Sequence, residues 1–292
     1  MAGEVKLSSA IRANLLSLQS TATLVARTQG RLSTGLKVAN AIDDAVAFFQ
    51  AKALSDRAGD LTAKKNGIDQ GISSLTAALQ AVESTEDVFA QMKGLALSAK
   101  SGSAADRATL ATQFNELAQQ ANNLVNDSSY QGLNLVNSTA NILKVSFSEK
   151  TGSILSVPGA NITVSNFVGL STFAASIAST GITMFVGKSL TWSTVSNAIS
   201  MFDNVIDILD SAITTIRTNA AKLGSNVSLL QTRLDFTTNY VNTLTGGSDK
   251  LTLADLNEEG ANLVALQTRQ QLATQALAFA GQAEQAVLQL FT

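Results

Sequence analysis

Residues 195–244, VSNAISMFDNVIDILDSAITTIRTNAAKLGSNVSLLQTRLDFTTNYVNTL, carry the most regular apolar pattern in the chain. Alternating steps of four and three residues along it meet apolar side chains at fourteen of fifteen positions, and Thr237 is the exception. This heptad seam predicts a single helix of about 50 residues, or roughly 75 Å at 1.5 Å per residue. The seam members that we expect to pack in a helical rod include Ile206, Leu209, Ile213, Ile216, Leu223, Leu230 and Leu234.

Such a helix needs partners, because an isolated helix cannot bury its own apolar stripe. The same spacing recurs in the first half of the chain, with Glu86 as a polar break, and a shorter stripe runs from Leu110 to Leu124. We therefore predict helices over 42–100 and 106–126, both packed on the 195–244 helix. The rod residues of the first helix are Ile68, Ile72, Leu75, Leu79, Val82 and Phe89.

The two ends of the chain carry weaker seams that resemble each other and are rich in Ala and Gln. We expect these ends to be largely disordered in the monomer and to fold when they find partners. Thr245–Ser248 and Ser33–Gly35 are predicted hinges between the ends and the middle. The N-terminal seam contains Ile11, Leu15, Leu18, Ala22, Val25 and Leu32, and the C-terminal seam contains Leu256, Leu263, Leu266, Ala273, Leu277, Ala280, Val287 and Phe291.

Residues 142–190 differ in character from the helical segments. Val145 and Phe147, then Ile162 and Val164, alternate with polar residues, and Gly and Pro supply turn signals between them. This pattern predicts hairpin strands, whereas 171–188 is ambiguous between strand and helix. The fold class is therefore mainly α: a long antiparallel helical coiled-coil bundle with a small β-hairpin insertion.

Composition excludes several classes of function. Among 292 residues there is no Cys and no His, which removes disulfides, thiol nucleophiles and the commonest general base and metal ligand. The net charge of −2 argues against nucleic-acid binding, which needs clustered Lys and Arg. We see no membrane span and no cleavable secretory signal, so we expect either a cytosolic protein or one exported through another route.

The remaining candidate sites have simpler explanations. Asp43 and Asp44 follow Asn40 at a predicted helix start, where carboxylates suit the unpaired amides and the helix dipole. Gly30 and Gly35 have the spacing of a phosphate-binding loop, but Leu36 stands where the Lys must be. Glu258 and Glu259 are typical first-turn charges. We expect no catalytic, cofactor-binding or metal residues, and hence not an enzyme.

The strip Arg31–Ala45, RLSTGLKVANAIDDA, resembles the N-terminal signature of bacterial flagellins. Further similar strips are NGIDQGIS at 66–73, FNEL at 114–117 and YQGLN at 130–134. In the second half, LGSNV from Leu223, DLNEEGA at 255–261 and VLQLF at 287–291 resemble the C-terminal region. The resemblance covers about 1–140 and 195–292, in order, and 142–190 lies where flagellins vary most.

The resemblance implies a structural subunit of the flagellar filament, the helical propeller of swimming bacteria. Residues 1–38 and 250–292 would form the filament-core coiled coil, and the two end seams would be its polymerisation surfaces. Residues 39–141 and 191–245 would form the helical rod, with 142–190 as a short variable β-rich insertion. The subunit would be exported through the flagellar type III channel, without a cleaved signal peptide, to an extracellular location.

The implied partners are copies of the chain itself, sister flagellins, an export chaperone, and the cap and hook-junction proteins, with no nucleic acid and no membrane. In many flagellins the strip matching 91–98 contacts a vertebrate innate immune receptor through an Arg, a Leu and a Gln. Here Gln91 and Ser98 replace the Arg and the Gln, and only Leu95 matches. We therefore expect weak or absent receptor signalling.

Two alternatives remain open at this point. A hook–filament junction protein shares flagellin-like ends but would stop rather than propagate a polymer. A non-flagellar coiled-coil scaffold is consistent with the heptads alone, although it leaves the Arg31–Ala45 strip without an explanation.

Overall fold

The structure, a computed structural model, describes residues 9–149, 152–164 and 198–289. Within these ranges the chain forms five helices and one two-stranded antiparallel sheet, which confirms the predicted fold class. The ambiguous segment 171–188 lies outside the described residues. The elements in chain order are α1 (Ser9–Thr34), α2 (Ala45–Ser101), α3 (Ala104–Asp127), β1 (Ile142–Ser146), β2 (Ile154–Pro158), α4 (Ala198–Thr252) and α5 (Leu256–Gln289).

The described residues divide into two compact units. The terminal unit contains those up to Ala58 and those from Asn242 onward, so it includes α1, α5, the start of α2 and the end of α4. The central unit contains those between Gly59 and Val241, including α3 and the hairpin.

The core of the central unit follows the heptad repeat of its long helices. On α2, the fully buried side chains Ile68, Leu75, Val82, Phe89 and Ala96 recur every seven residues. On α4 a matching buried column contains Phe202, Leu209, Ile216, Leu223 and Leu230. A 3.5-residue repeat keeps such a column facing its partners along the whole helix, which explains why the periodicity was strong enough to locate these helices.

Polar residues set the helix starts, and one predicted boundary shifts. Helix α2 begins at Ala45 rather than at Ile42, because Asp44 accepts a hydrogen bond from the Ala47 amide at 3.0 Å and so caps the first turn. Helix α3 begins with a capping box, in which the Ser103 hydroxyl and the Asp106 carboxylate each accept from the other residue's backbone amide.

The predicted hinge at Thr245–Ser248 is wrong. These residues lie inside α4, which continues to Thr252, and the chain turns over Leu253–Asp255 instead. The small residues serve helix packing: a Cβ at Gly247 would lie 3.4 Å from Leu54 Cδ1. One residue later, the Ser248 hydroxyl donates to the Ala51 carbonyl at 3.1 Å. Glycine and serine therefore bring α4 close to α2 here without breaking the helix.

The hairpin forms, but with a different second strand from the one predicted. Strand β1 pairs with β2 so that Leu143 faces Val157 and Val145 faces Leu155. Ile162 and Val164 are buried outside the sheet, where their amides donate to the Val136 carbonyl and to Asn122 Oδ1, each at 3.0 Å. Apolar and polar residues alternate both in β2 and at 162–164, and tertiary hydrogen bonds decide which of the two stretches pairs with β1.

Candidate assembly surface

Helices α1 and α5 pack on each other in the terminal unit. Next to this pair, the residues that follow α1 are hydrogen-bonded to those that precede α5. Helix α1 ends at Thr34, and Gly35 follows with a φ of +71°, the left-handed conformation that glycine adopts at least cost. The Lys37 amide then donates to the Thr252 carbonyl at 2.7 Å, and the Ala254 amide donates to the Gly35 carbonyl at 2.9 Å. These bonds join the end of α1 to the turn that precedes α5. The hinge predicted at Ser33–Gly35 is therefore wrong, because Ser33 and Thr34 still belong to α1 and both sides of Gly35 lie in the terminal unit.

An ion pair that the sequence analysis missed links the two helices. Arg31 Nη1 donates to Glu259 Oε1 at 2.8 Å, and the two side chains are only 24% and 10% exposed. Glu259 is a first-turn charge of α5, as predicted, but it also neutralises an arginine 228 positions away. The sequence signal was Glu259, a carboxylate that interrupts the C-terminal seam, although spacing alone could not pair it with Arg31.

The inner face of α1 is one position out of phase with the predicted N-terminal seam in its middle turns. Ile11, Thr21 and Thr28 are buried, and Leu18 and Val25 are half-buried. Thr21 tolerates burial because its hydroxyl donates to the Ser17 carbonyl at 2.9 Å. The predicted seam members that lie exposed in this single subunit are Leu15, Ala22 and Leu32.

On α5 the predicted seam and the half-buried face coincide over most of the described helix. The half-buried members are Leu263, Leu266, Ala273, Leu277 and Ala280, whereas Leu256 is exposed. The side chain of Val287 and the whole of Phe291 lie outside the described residues.

A second set of apolar side chains faces outward from the same helix pair. We call it the outer apolar set, and it consists of Leu15, Leu16, Leu24 and Leu32 on α1 and Leu256, Val264, Leu272 and Phe279 on α5. Phe279 is 70% exposed and Leu272 is 61% exposed. A group of exposed apolar side chains of this size is typical of a surface that another molecule covers.

The residues predicted to pack in the rod lie in or against the core of the central unit. Ile68, Leu75, Val82, Phe89, Leu209, Ile213, Ile216, Leu223 and Leu230 are buried, and Ile72, Leu79, Ile206 and Leu234 are half-buried against the same cluster.

The terminal unit also contains a charged cleft of about 430 Å³ between α1 and the start of α5. Its lining alternates cations and carboxylates, among them Arg27, Lys37, Glu258 and Arg269. Over the described part of the chain, no three acidic side chains come together as a group that could hold a metal ion. Nor does any described helix combine the length and the apolar character needed to cross a membrane.

Comparisons with known proteins agree with this architecture. Residues 7–141 match the bacterial flagellin N-terminal helical region, and residues 206–291 match the bacterial flagellin C-terminal helical region. Flagellin FljM of Caulobacter vibrioides is 30% identical over 280 residues, which cover 95% of this chain and 94% of that protein. A flagellin of Brucella melitensis is 26% identical and covers 100% of this chain and 99% of its own length.

A solved structure described as a flagellar hook-associated protein from Vibrio parahaemolyticus shares the fold, with a TM-score of 0.56. It covers 71% of this chain and 99% of its own chain at 12% identity, a level at which the likeness concerns the fold alone.

Proposed function

Because this chain belongs to the bacterial flagellin family, and is therefore a structural subunit of the flagellar filament, we propose that its copies join through the outer apolar set of α1 and α5. The family matches favour this role over a hook–filament junction protein or a scaffold.

The distribution of exposed apolar side chains carries this proposal. Seventeen large apolar side chains are exposed in the described part of the chain, and twelve of them belong to the terminal unit. A heterologous interface that does not close on itself generates an open helical polymer, and each added subunit then covers such side chains. Burying one exposed leucine would contribute about 1.5–3 kcal/mol to each subunit contact.

The experiment replaces Leu272 by Asp and measures the critical concentration for growth from short filament seeds. Leu272 points outward, so Leu272→Asp should leave the monomer folded and raise the critical concentration at least about tenfold, since about 1.4 kcal/mol corresponds to a factor of ten. Leu229→Asp, on an exposed position of the central unit, is the matched control and should act more weakly. Equal critical concentrations for the two variants would remove the support for this surface.

We propose in addition that the predicted C-terminal seam takes part in assembly, and a separate variant tests it. Leu277 is half-buried on α5, and Leu277→Asp should abolish polymerisation while the 42–244 segment keeps its helical circular dichroism. An aspartate buried without a partner costs several kcal/mol. An unchanged yield of filaments would contradict the assignment of the predicted seams.

The segment boundaries predicted from the sequence are a further part of this proposal. The end segments 1–38 and 250–292 would order fully only on assembly, around a rod of 39–141 and 191–245. Limited proteolysis of the monomer, followed by mass spectrometry, should trim both ends before it cuts the rod. Cleavage inside the rod at the same rate would contradict that division.

Partners other than the chain itself also belong to the proposal. We propose an export chaperone that binds the C-terminal helix, and cap and hook-junction proteins at the two filament ends. The exposed apolar face of α5 is the feature that a chaperone would need to cover before assembly. Pulldown with Phe279→Asp and with the control Leu229→Asp separates binding through this face from non-specific binding.

We propose in addition that the chain has no catalytic activity and that its receptor signalling is weak or absent. The whole sequence lacks His and Cys, which removes the commonest general base and the thiol nucleophile. Gln91 and Ser98 are exposed on α2 where the receptor-binding pattern needs Arg and Gln. A strong reporter-cell response at low subunit concentration would contradict the second statement.

A further inference from the structure

Three ion pairs connect α2 to α4 in the central unit at regular intervals. Glu86 pairs with Arg217 at 2.7 Å, Lys93 pairs with Asp210 at 2.5 Å, and Lys100 pairs with Asp203. Successive pairs lie seven residues apart on each helix and run in opposite directions, so they mark a single antiparallel register. We call these three pairs the charge ladder.

The heptad repeat of the two buried columns does not by itself distinguish this register from one shifted by a heptad. The buried columns of α2 and α4 each repeat every seven residues, as described above. Sliding one helix by a heptad, about 10 Å, would again place apolar side chains opposite apolar side chains. A repeat of this kind tolerates several alignments unless another feature distinguishes them.

The signs of the charge ladder supply that feature. On α2 the order is one acid followed by two bases, and on α4 the partners have the opposite signs. A slip of one heptad in one direction brings Glu86 opposite Asp210, and a slip in the other direction brings Lys93 opposite Arg217. Each slip therefore creates one like-charge pair and keeps only one attractive pair. A ladder with one sign on each helix would keep two attractive pairs in either slip and create no repulsion.

We propose that the reversed pair, Glu86 with Arg217, determines the register in which α2 and α4 pair when the subunit folds. All six side chains are at least 25% exposed, and pairs of such exposure contribute little to the free energy of folding. Their effect lies in the difference between alignments, as charged flanking positions do in coiled coils. This proposal does not depend on which surface joins the subunits in the filament.

Distance measurement between two spin labels tests the proposal in the full chain. The sequence contains no Cys, so Ala90→Cys and Thr232→Cys, both at exposed helical positions, give two unique labelling sites. These sites are separated along the helix axes, so a slip of one heptad shifts their distance by roughly 10 Å. In the labelled chain with an otherwise unchanged sequence we expect one distance after refolding from urea.

Glu86→Lys combined with Arg217→Asp gives each helix one sign, and we expect a second distance roughly 10 Å from the first. The matched control is Lys93→Glu combined with Asp210→Lys, in which either slip still meets one like-charge pair, so one distance should remain. If the first variant loses its helical circular dichroism, Glu86→Gln with Arg217→Gln removes the repulsion without new charges and should also give two distances. A single unchanged distance in every folded variant would overturn the proposal, as would two distances in the control.

Discussion

Two glycines one turn apart on α2 should respond oppositely to the same substitution. A Cβ added at Gly67 meets no atom within 4 Å. A Cβ added at Gly71 lies 2.6 Å from Val145 Cγ2 on β1 and 3.3 Å from Leu230 Cδ1 on α4. Gly71 is therefore the position where the hairpin and α4 approach the backbone of α2.

The expected changes in the free energy of unfolding follow from these contacts. Replacing glycine by alanine in a helix interior contributes about 0.8–1 kcal/mol of stability when nothing obstructs the methyl group. Gly67→Ala should therefore stabilise the central unit by about that amount. At Gly71 the same gain is offset by overpacking, which typically costs about 1–3 kcal/mol, because Val145 has no flexible end that can move aside. Gly71→Ala should be about 1–3 kcal/mol less stable than Gly67→Ala.

Urea unfolding of the full chain, followed by circular dichroism at 222 nm, measures both free energies. A difference of this size corresponds to roughly 2–4 °C of melting temperature per kcal/mol for a unit of 150–250 residues. Val145→Ala removes the obstructing methyl groups. In the Val145→Ala background, Gly71→Ala should therefore be less costly than in the unsubstituted chain.

Two results would refute this reasoning. One is a Gly71→Ala variant as stable as Gly67→Ala, which would mean that the hairpin does not lie against α2 in solution. The other is an equal cost of Gly71→Ala with and without Val145→Ala, which would place the strain elsewhere.

Three further predictions each rest on a single residue. The Ser74 hydroxyl is buried without a hydrogen-bond partner among the described residues, so Ser74→Ala should increase the free energy of unfolding by about 1 kcal/mol. The urea midpoint should rise accordingly, and a lower midpoint would indicate an unseen partner. The Asp106 carboxylate accepts hydrogen bonds from the Ser103 hydroxyl and from the Ser103 backbone amide, and these bonds, the hydroxyl's above all, lower the pKa of Asp106. The stability that the ionised carboxylate contributes is therefore complete above about pH 3.9 and is lost as the pH falls through the lowered pKa. Asp106→Asn should therefore reduce stability at neutral pH and converge with the parent chain in acid, as pH-dependent melting would reveal; a pH-independent difference would contradict it. Gln131 has a φ of +50°, so Gln131→Gly should raise the melting temperature, with an effect of up to about 1 kcal/mol, and a decrease would show that its side chain stabilises the turn.

The sequence was sufficient to locate the long helices of the central unit. A heptad repeat sustained over about 50 residues identifies its own secondary structure, because both the hydrogen bonds and the apolar stripe are local to the helix. The buried columns from Ile68 to Ala96 and from Phe202 to Leu230 are therefore readable without knowledge of their partners. The absence of His and Cys likewise restricts the chemistry before any contact is known.

The terminal unit shows where local pattern is insufficient. The weak seam of α1 could take either of two neighbouring phases, and packing on α5 buries Thr21 and Thr28 while it leaves Leu15 and Leu32 exposed. Intramolecular packing covers one face of each terminal helix and leaves the outer apolar set exposed in the single subunit.

Composition and local pattern were enough to establish the helical architecture, the family resemblance and the types of chemistry that are excluded, since all three depend on composition and on residues near one another in the chain. Tertiary contacts were needed to show that Gly247 packs rather than bends, that Arg31 neutralises Glu259, and that Gly71 admits the hairpin. Each of these depends on a contact between segments far apart in sequence. Spacing along one segment carries no information about which distant group will lie against it.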